Sequence, residues 1–100
     1  MNYLTLETIK QQLRIDSSFA NDDSLLEALG NSAEDFLQAH LNNALDDIAA
    51  DNSGSLPDAL MQALKIMVDY LYDESGSGES RDVPQAFWIL SKPYQNYTIA

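Results

Sequence analysis

The chain has no cysteine, a single histidine and only five basic residues among its 100. Without cysteine there is no disulfide, thiol nucleophile, redox motif or cysteine-ligated zinc. One histidine, His40, excludes a histidine pair for a metal and a histidine dyad within one chain. It lies near an apolar helical stripe and reads as a half-buried structural residue. The bases Lys10, Arg14, Lys65, Arg81 and Lys92 are scattered, and against 16 acids they leave a net charge of -11. Such a chain repels phosphate, which argues against a DNA-binding basic patch and against anionic lipid. Long apolar runs are missing too. The longest, Ala86 to Leu90, is far short of the ~20 residues of a membrane span. The opening Met1-Asn2-Tyr3-Leu4-Thr5 lacks the basic and apolar regions of a signal peptide, so a cytosolic, soluble protein is expected. No segment alternates apolar and polar residues as a strand would, and no repeat is visible.

What is present is helical periodicity in an ordinary apolar content of 45%. The expected fold is all-α: one domain over residues 1–100, a small bundle of about four helices with the third at its centre and an extended C-terminal tail. Thr5 is a candidate N-cap for a first helix, with Leu6, Ile9 and Leu13 on one stripe. Asn21 and Asp22 cap a second. Its stripe is Leu25, Leu26, Leu29, Ala33, Phe36, Leu37 and Leu41, and Glu27, Asn31, Glu34, Gln38 and Asn42 form the wet face. Phe19, in the preceding loop, is expected to tuck onto the core. Asp46 to Ser55 reads as an acidic loop, after at most one further turn through Leu45 and Ile48. Pro57 opens the third helix, to about Asp73, whose narrow polar strip marks it as central. Leu60, Leu64, Met67 and Leu71 should carry most of the stability. Asp73 to Asp82 reads as a Gly/Ser/acid loop, and Pro84 and Pro93 bound a short fourth helix.

Few residues offer chemistry. With Asp73 as the first position of a calcium loop, Ser75, Ser77 and Gly78 fall at positions three, five and six. The twelfth, which needs a bidentate glutamate, is Pro84. Gly76 and Gly78 lack the rest of a phosphate loop. Carboxylates adjacent in sequence, such as Asp22/Asp23 and Asp46/Asp47, diverge on a helix and make no acid–base pair. No catalytic residue, metal ligand or cofactor is therefore expected, no small-molecule substrate, and the protein is not read as an enzyme. Two features point to protein partners instead. Asp69, Asp73 and Glu74 crowd the C-terminal end of the third helix, where the dipole disfavours negative charge. Either that end frays, or a basic partner surface neutralises it. Phe87, Trp88, Ile89 and Leu90 are consecutive and cover nearly the whole circumference of a short helix. Either the tail, through Tyr94 and Tyr97, folds over the outer side, or an aromatic meets another chain. Trp88 is the candidate anchor.

Several motifs share one order. Tyr3-Leu4-Thr5-Leu6-Glu7-Thr8-Ile9-Lys10 runs into Leu13-Arg14-Ile15-Asp16. Leu56-Pro57 leads a helix ending Tyr70-Leu71-Tyr72. Val83-Pro84 is followed by Leu90 and Pro93-Tyr94. Together they resemble the small head–tail connector proteins of tailed phages and prophages, over nearly the whole chain. The sequence departs from that family's pattern at Asp73-Glu74-Ser75 and at Gln95, where basic residues are usual. The resemblance implies an all-helical structural protein of the virion. It would form a ring between portal and tail through which DNA passes in packaging, with itself and the portal or tail-completion proteins as partners. Its place would be the host cytoplasm during assembly and then the head–tail junction. A negative channel wall would not retain DNA. In such a ring the acidic end of the third helix could meet Arg14, Arg81 or Lys92 of a neighbour. Two alternatives from the residues are a small acidic helical adaptor and a DNA mimic occupying a basic partner.

Overall fold

In the computed structural model, residues 2–77 and 82–95 are described. Among these residues five α-helices follow one another: α1 (Leu6–Leu13), α2 (Asp23–Leu41), α3 (Leu45–Asp51), α4 (Asp58–Ser77) and α5 (Gln85–Ser91). A 3-10 turn, Lys92–Tyr94, continues α5. Among the described residues there is no strand. The all-α class is as expected. The count is one higher, so the central helix is the fourth: α4 packs against α5, α2 and α1.

The helix ends are written in local chemistry. The Thr5 hydroxyl accepts the Thr8 N–H at 3.1 Å and caps α1. Arg14 closes it in the left-handed region at φ 60°, its N–H donating to the carbonyls of Gln11 and Lys10. In the following turn Asp16 accepts from both the Ser18 N–H and the Ser18 hydroxyl, each at 2.9 Å. These bonds hold its carboxyl below the usual value. Asp22 is the N-cap residue of α2 but makes no side-chain capping bond. Across the corner, Lys10 Nζ meets Asp23 Oδ1 at 2.8 Å, and the lysine side chain is only 8% exposed. That pair ties α1 to the first turn of α2.

Two segments expected as loops are helical. Leu45–Asp51 forms α3, burying Leu45, Ile48 and Ala49 at i, i+3 and i+4. Asp46 and Asp47 suit the positive end of its dipole, and the Gln38 side-chain oxygen accepts the Leu45 N–H at 2.9 Å. The acidic composition that suggests a loop is thus the chemistry of a helix start. Gly54, at φ 90°, ends the unit by donating to the Ala49 carbonyl at 2.8 Å. The other segment follows Asp73, where α4 continues to Ser77. The start of α4 is one residue beyond Pro57, whose carbonyl accepts from Leu60 and Met61.

The core is one cluster. Leu60, Ala63, Leu64, Met67 and Val68 of α4 meet Leu26, Ala33, Leu37 and Leu41 of α2, with Ile9, Leu45, Ile48 and Phe87 from the other helices. Leu71 is only partly buried against it. Three expectations for the second helix and its approach are corrected. Phe19 is 43% exposed, because the tight turn closed by Asp16 holds it away from the core. Leu25 and Phe36, expected inside, are 40% and 42% exposed, because only one side of the wide apolar face meets α4. Glu34, expected on the wet face, is buried.

Candidate interaction surface

Glu34 shows how a charge enters the interior. It shares α2's inward arc with Gly30, Ala33, Leu37 and Leu41, all buried. Its Oε1 accepts the Asn2 N–H at 2.9 Å, and its Oε2 accepts those of Tyr3 at 3.1 Å and Leu4 at 2.9 Å. One carboxylate thereby satisfies three backbone donors ahead of α1 and seats Leu4 in the core. The Tyr3 hydroxyl donates to Asp46 Oδ1 on α3. That bond raises the phenol to about 12, with burial and the charges of Asp46 and Glu34 adding to it. This latch is structural. The sequence reading missed it, and its one signal is an acid at a core spacing.

The residues singled out for partners fall differently. Phe87 is fully buried, so it belongs to the core and offers no surface. Trp88 is half-buried, and α5 carries it against α2. Its ring lies 5.0 Å from Phe87 and 4.8 Å from His40, both edge-on, and 6.1 Å from Phe36. His40 is half-buried, as expected, and its carbonyl accepts from Gln95 at 3.1 Å. Ile89, one residue further on, is the most exposed large apolar side chain among the described residues, at 62%. Tyr94 does not cover this side. It lines a separate hollow with Ile48, Asp51 and Pro57. Tyr97 and the Glu74 side chain lie outside the described residues.

Between α4 and α5 two grooves adjoin. One is lined by Tyr70, Asp82, Val83, Trp88, Ile89 and Lys92. The other is lined by Ile66, Asp69, Tyr70, Asp73, Asp82 and Pro84. They share Tyr70 and Asp82, so Asp69 and Asp73 stand on the same edge as Trp88 and Ile89. The acidic cluster and the aromatic helix, ten or more residues apart in sequence, thus form one surface with an apolar floor and a rim that carries Asp69, Asp73 and Asp82 together with Lys92. Such a surface suits binding by apolar anchors with charges at the rim.

Among the described residues no group of three or more histidines or acids could hold a metal. No described helix is long and apolar enough to cross a membrane. No curated protein and no solved structure is similar enough to match the chain. A family does match: the profile of the phage gp6-like head-tail connector protein covers residues 3–87. Among the described residues that span holds α1 to α4 whole and Glu34 with two of its three backbone donors, while Trp88, Ile89 and Lys92 lie beyond it. The chain therefore belongs to the phage gp6-like head-tail connector family and is a phage structural protein of the head–tail junction.

Proposed function

We propose that this chain, as a single domain over residues 1–100, is a ring-forming adaptor between portal and tail. DNA passes through the ring during packaging, and the α4–α5 edge is a contact surface. The observation that carries the reading is the single edge shared by Asp69, Asp73, Trp88 and Ile89, in a chain whose family connects heads to tails. The apolar floor supplies affinity, and Asp69, Asp73 and Asp82 select a basic surface and fix register. The net charge of -11 keeps the lumen from holding DNA.

Sedimentation and electron microscopy of the purified chain, alone and with the portal protein of the same phage, test this. Rings are expected, on the portal or free. A chain that stays monomeric in both mixtures, at any concentration, overturns the reading.

A further inference from the structure

The corner between α1 and α2 carries two side chains that the fold does not explain. Arg14 takes φ 60° as the C-cap of α1, a conformation that glycine or asparagine adopts with less strain. The cap uses only its backbone, and among the described residues its exposed guanidinium has no carboxylate partner. Further along the same corner, Phe19 is 43% exposed. It is held there: its N–H donates to the Asp16 carbonyl at 3.0 Å, and the Asp16 carboxylate accepts both donors of Ser18. The other charges of residues 14–22 are Asp16 and Asp22, while the neighbouring Lys10 and Asp23 already pair with each other at 2.8 Å. The corner is thus an aromatic knob accompanied by one unpaired cation and two carboxylates.

The α4–α5 grooves carry the opposite pattern. Their floor is Tyr70, Val83, Trp88 and Ile89, and their rim holds three carboxylates and the single cation of Lys92. The larger groove, about 930 Å³, has room for a phenyl ring. No residue of the corner lines either groove, so one copy offers both patches at once, as a heterologous ring contact requires. We infer that the α4–α5 groove of one copy receives the residue 14–22 corner of a second copy. Phe19 lies on the floor beside Ile89, Arg14 meets Asp82, and the Asp16 carboxylate answers Lys92. Charge selects this occupant. Lys10 is buried and paired, Lys65 is half-buried, Lys92 belongs to the groove itself and Arg81 lies outside the described residues. Among the described residues Arg14 is therefore the exposed base that a second copy can bring to Asp69 and Asp82. Charges more than about 8 Å apart are largely screened at physiological salt, so these local pairs govern the fit rather than the net charge of -11. The inference rests on the adaptor reading and adds to it which face of the next subunit fills the groove.

Sedimentation of the full chain, under conditions where the wild type assembles, tests the pairing. Arg14→Asp, with helicity intact by circular dichroism, is expected to weaken assembly roughly tenfold or more. Adding Asp82→Arg to the same chain is expected to recover most of that loss, because every contact then holds the reversed pair. Adding Asp51→Arg instead makes the same change of charge on α3, outside both patches, and is expected to recover little. The absence of native cysteine gives a second readout that does not depend on weakening the assembly. Phe19→Cys and Ile89→Cys, made as separate chains, mixed and oxidised, are expected to give a disulfide-linked dimer holding one of each, while each alone stays largely uncrosslinked. Wild-type assembly by Arg14→Asp, no recovery with Asp82→Arg, equal recovery with Asp51→Arg, or no mixed crosslink while the wild type forms rings overturns this inference and leaves the adaptor reading standing. A wild type that never assembles removes the adaptor reading first, and the pairing with it.

Discussion

Replacing a buried carboxylate by its amide keeps the shape and changes the hydrogen bonds. Glu34 uses both oxygens to accept three N–H groups. Glutamine has one acceptor oxygen and two donors, so at least one N–H of the latch would face another donor. Glu34→Gln is expected to lower stability by about 1–3 kcal/mol, read as a shift of the urea midpoint at unchanged slope. An unchanged midpoint would show that water replaces the latch at no cost. The Tyr3–Asp46 contact has its own signature in pH. The folded phenol is raised to about 12 from an ordinary 10.0, so the neutral form is favoured by folding. Its stabilisation is complete below pH 10 and is lost as pH rises through about 12. Difference titration of phenolate absorbance between the wild type and Tyr3→Phe should show this tyrosine ionising late. Asp46→Asn should return it toward the ordinary value. Neither contact was legible in the sequence. An acid on a helix defaults to water, and the partners of Glu34 are backbone groups thirty or more residues away.

The helices differ in how far local sequence decided them. The cap at Thr5, the start of α4 beyond Pro57 and the start of α5 after Pro84 depend on chemistry within one turn, and they lie where the sequence puts them. Helix α3 was hidden because seven residues give too few periods to read. It holds through Leu45, Ile48 and Ala49 in the core and through Gln38 of α2. Its exit depends on Gly54 at φ 90°, with nothing within 4 Å of an added Cβ. Gly54→Ala therefore meets no clash, only backbone strain, and should cost about 1–2 kcal/mol in thermal or urea unfolding. A neutral result would mean that the turn relaxes to another conformation.

For the whole molecule the decisive contrast is between two neighbours on α5. Trp88 is half-buried against the rings of Phe36, His40 and Phe87, whereas Ile89 is 62% exposed. Ile89→Ser should leave unfolding within about 0.5 kcal/mol of wild type while reducing assembly in sedimentation. Trp88→Ala should lower both assembly and stability, because it also removes three ring contacts. A loss of about 3–5 kcal/mol with assembly otherwise intact would make Trp88 a core residue only. If Ile89→Ser assembles as well as wild type, the α4–α5 edge is not a contact.

Composition and periodicity by themselves determined the helical class, the long second helix, the apolar central helix and the motif order by which the chain resembles head–tail connectors. These follow from local propensity and from spacing repeated over several turns, which any one stretch of chain carries within itself. Tertiary structure alone decided which half of α2's apolar face is covered, that Glu34 turns inward, that Phe87 is core while Ile89 is surface, and that Asp69 shares an edge with Trp88. Each of these depends on what packs against a face. A helix with more apolar surface than its neighbours can cover does not record in its own sequence which part stays outside.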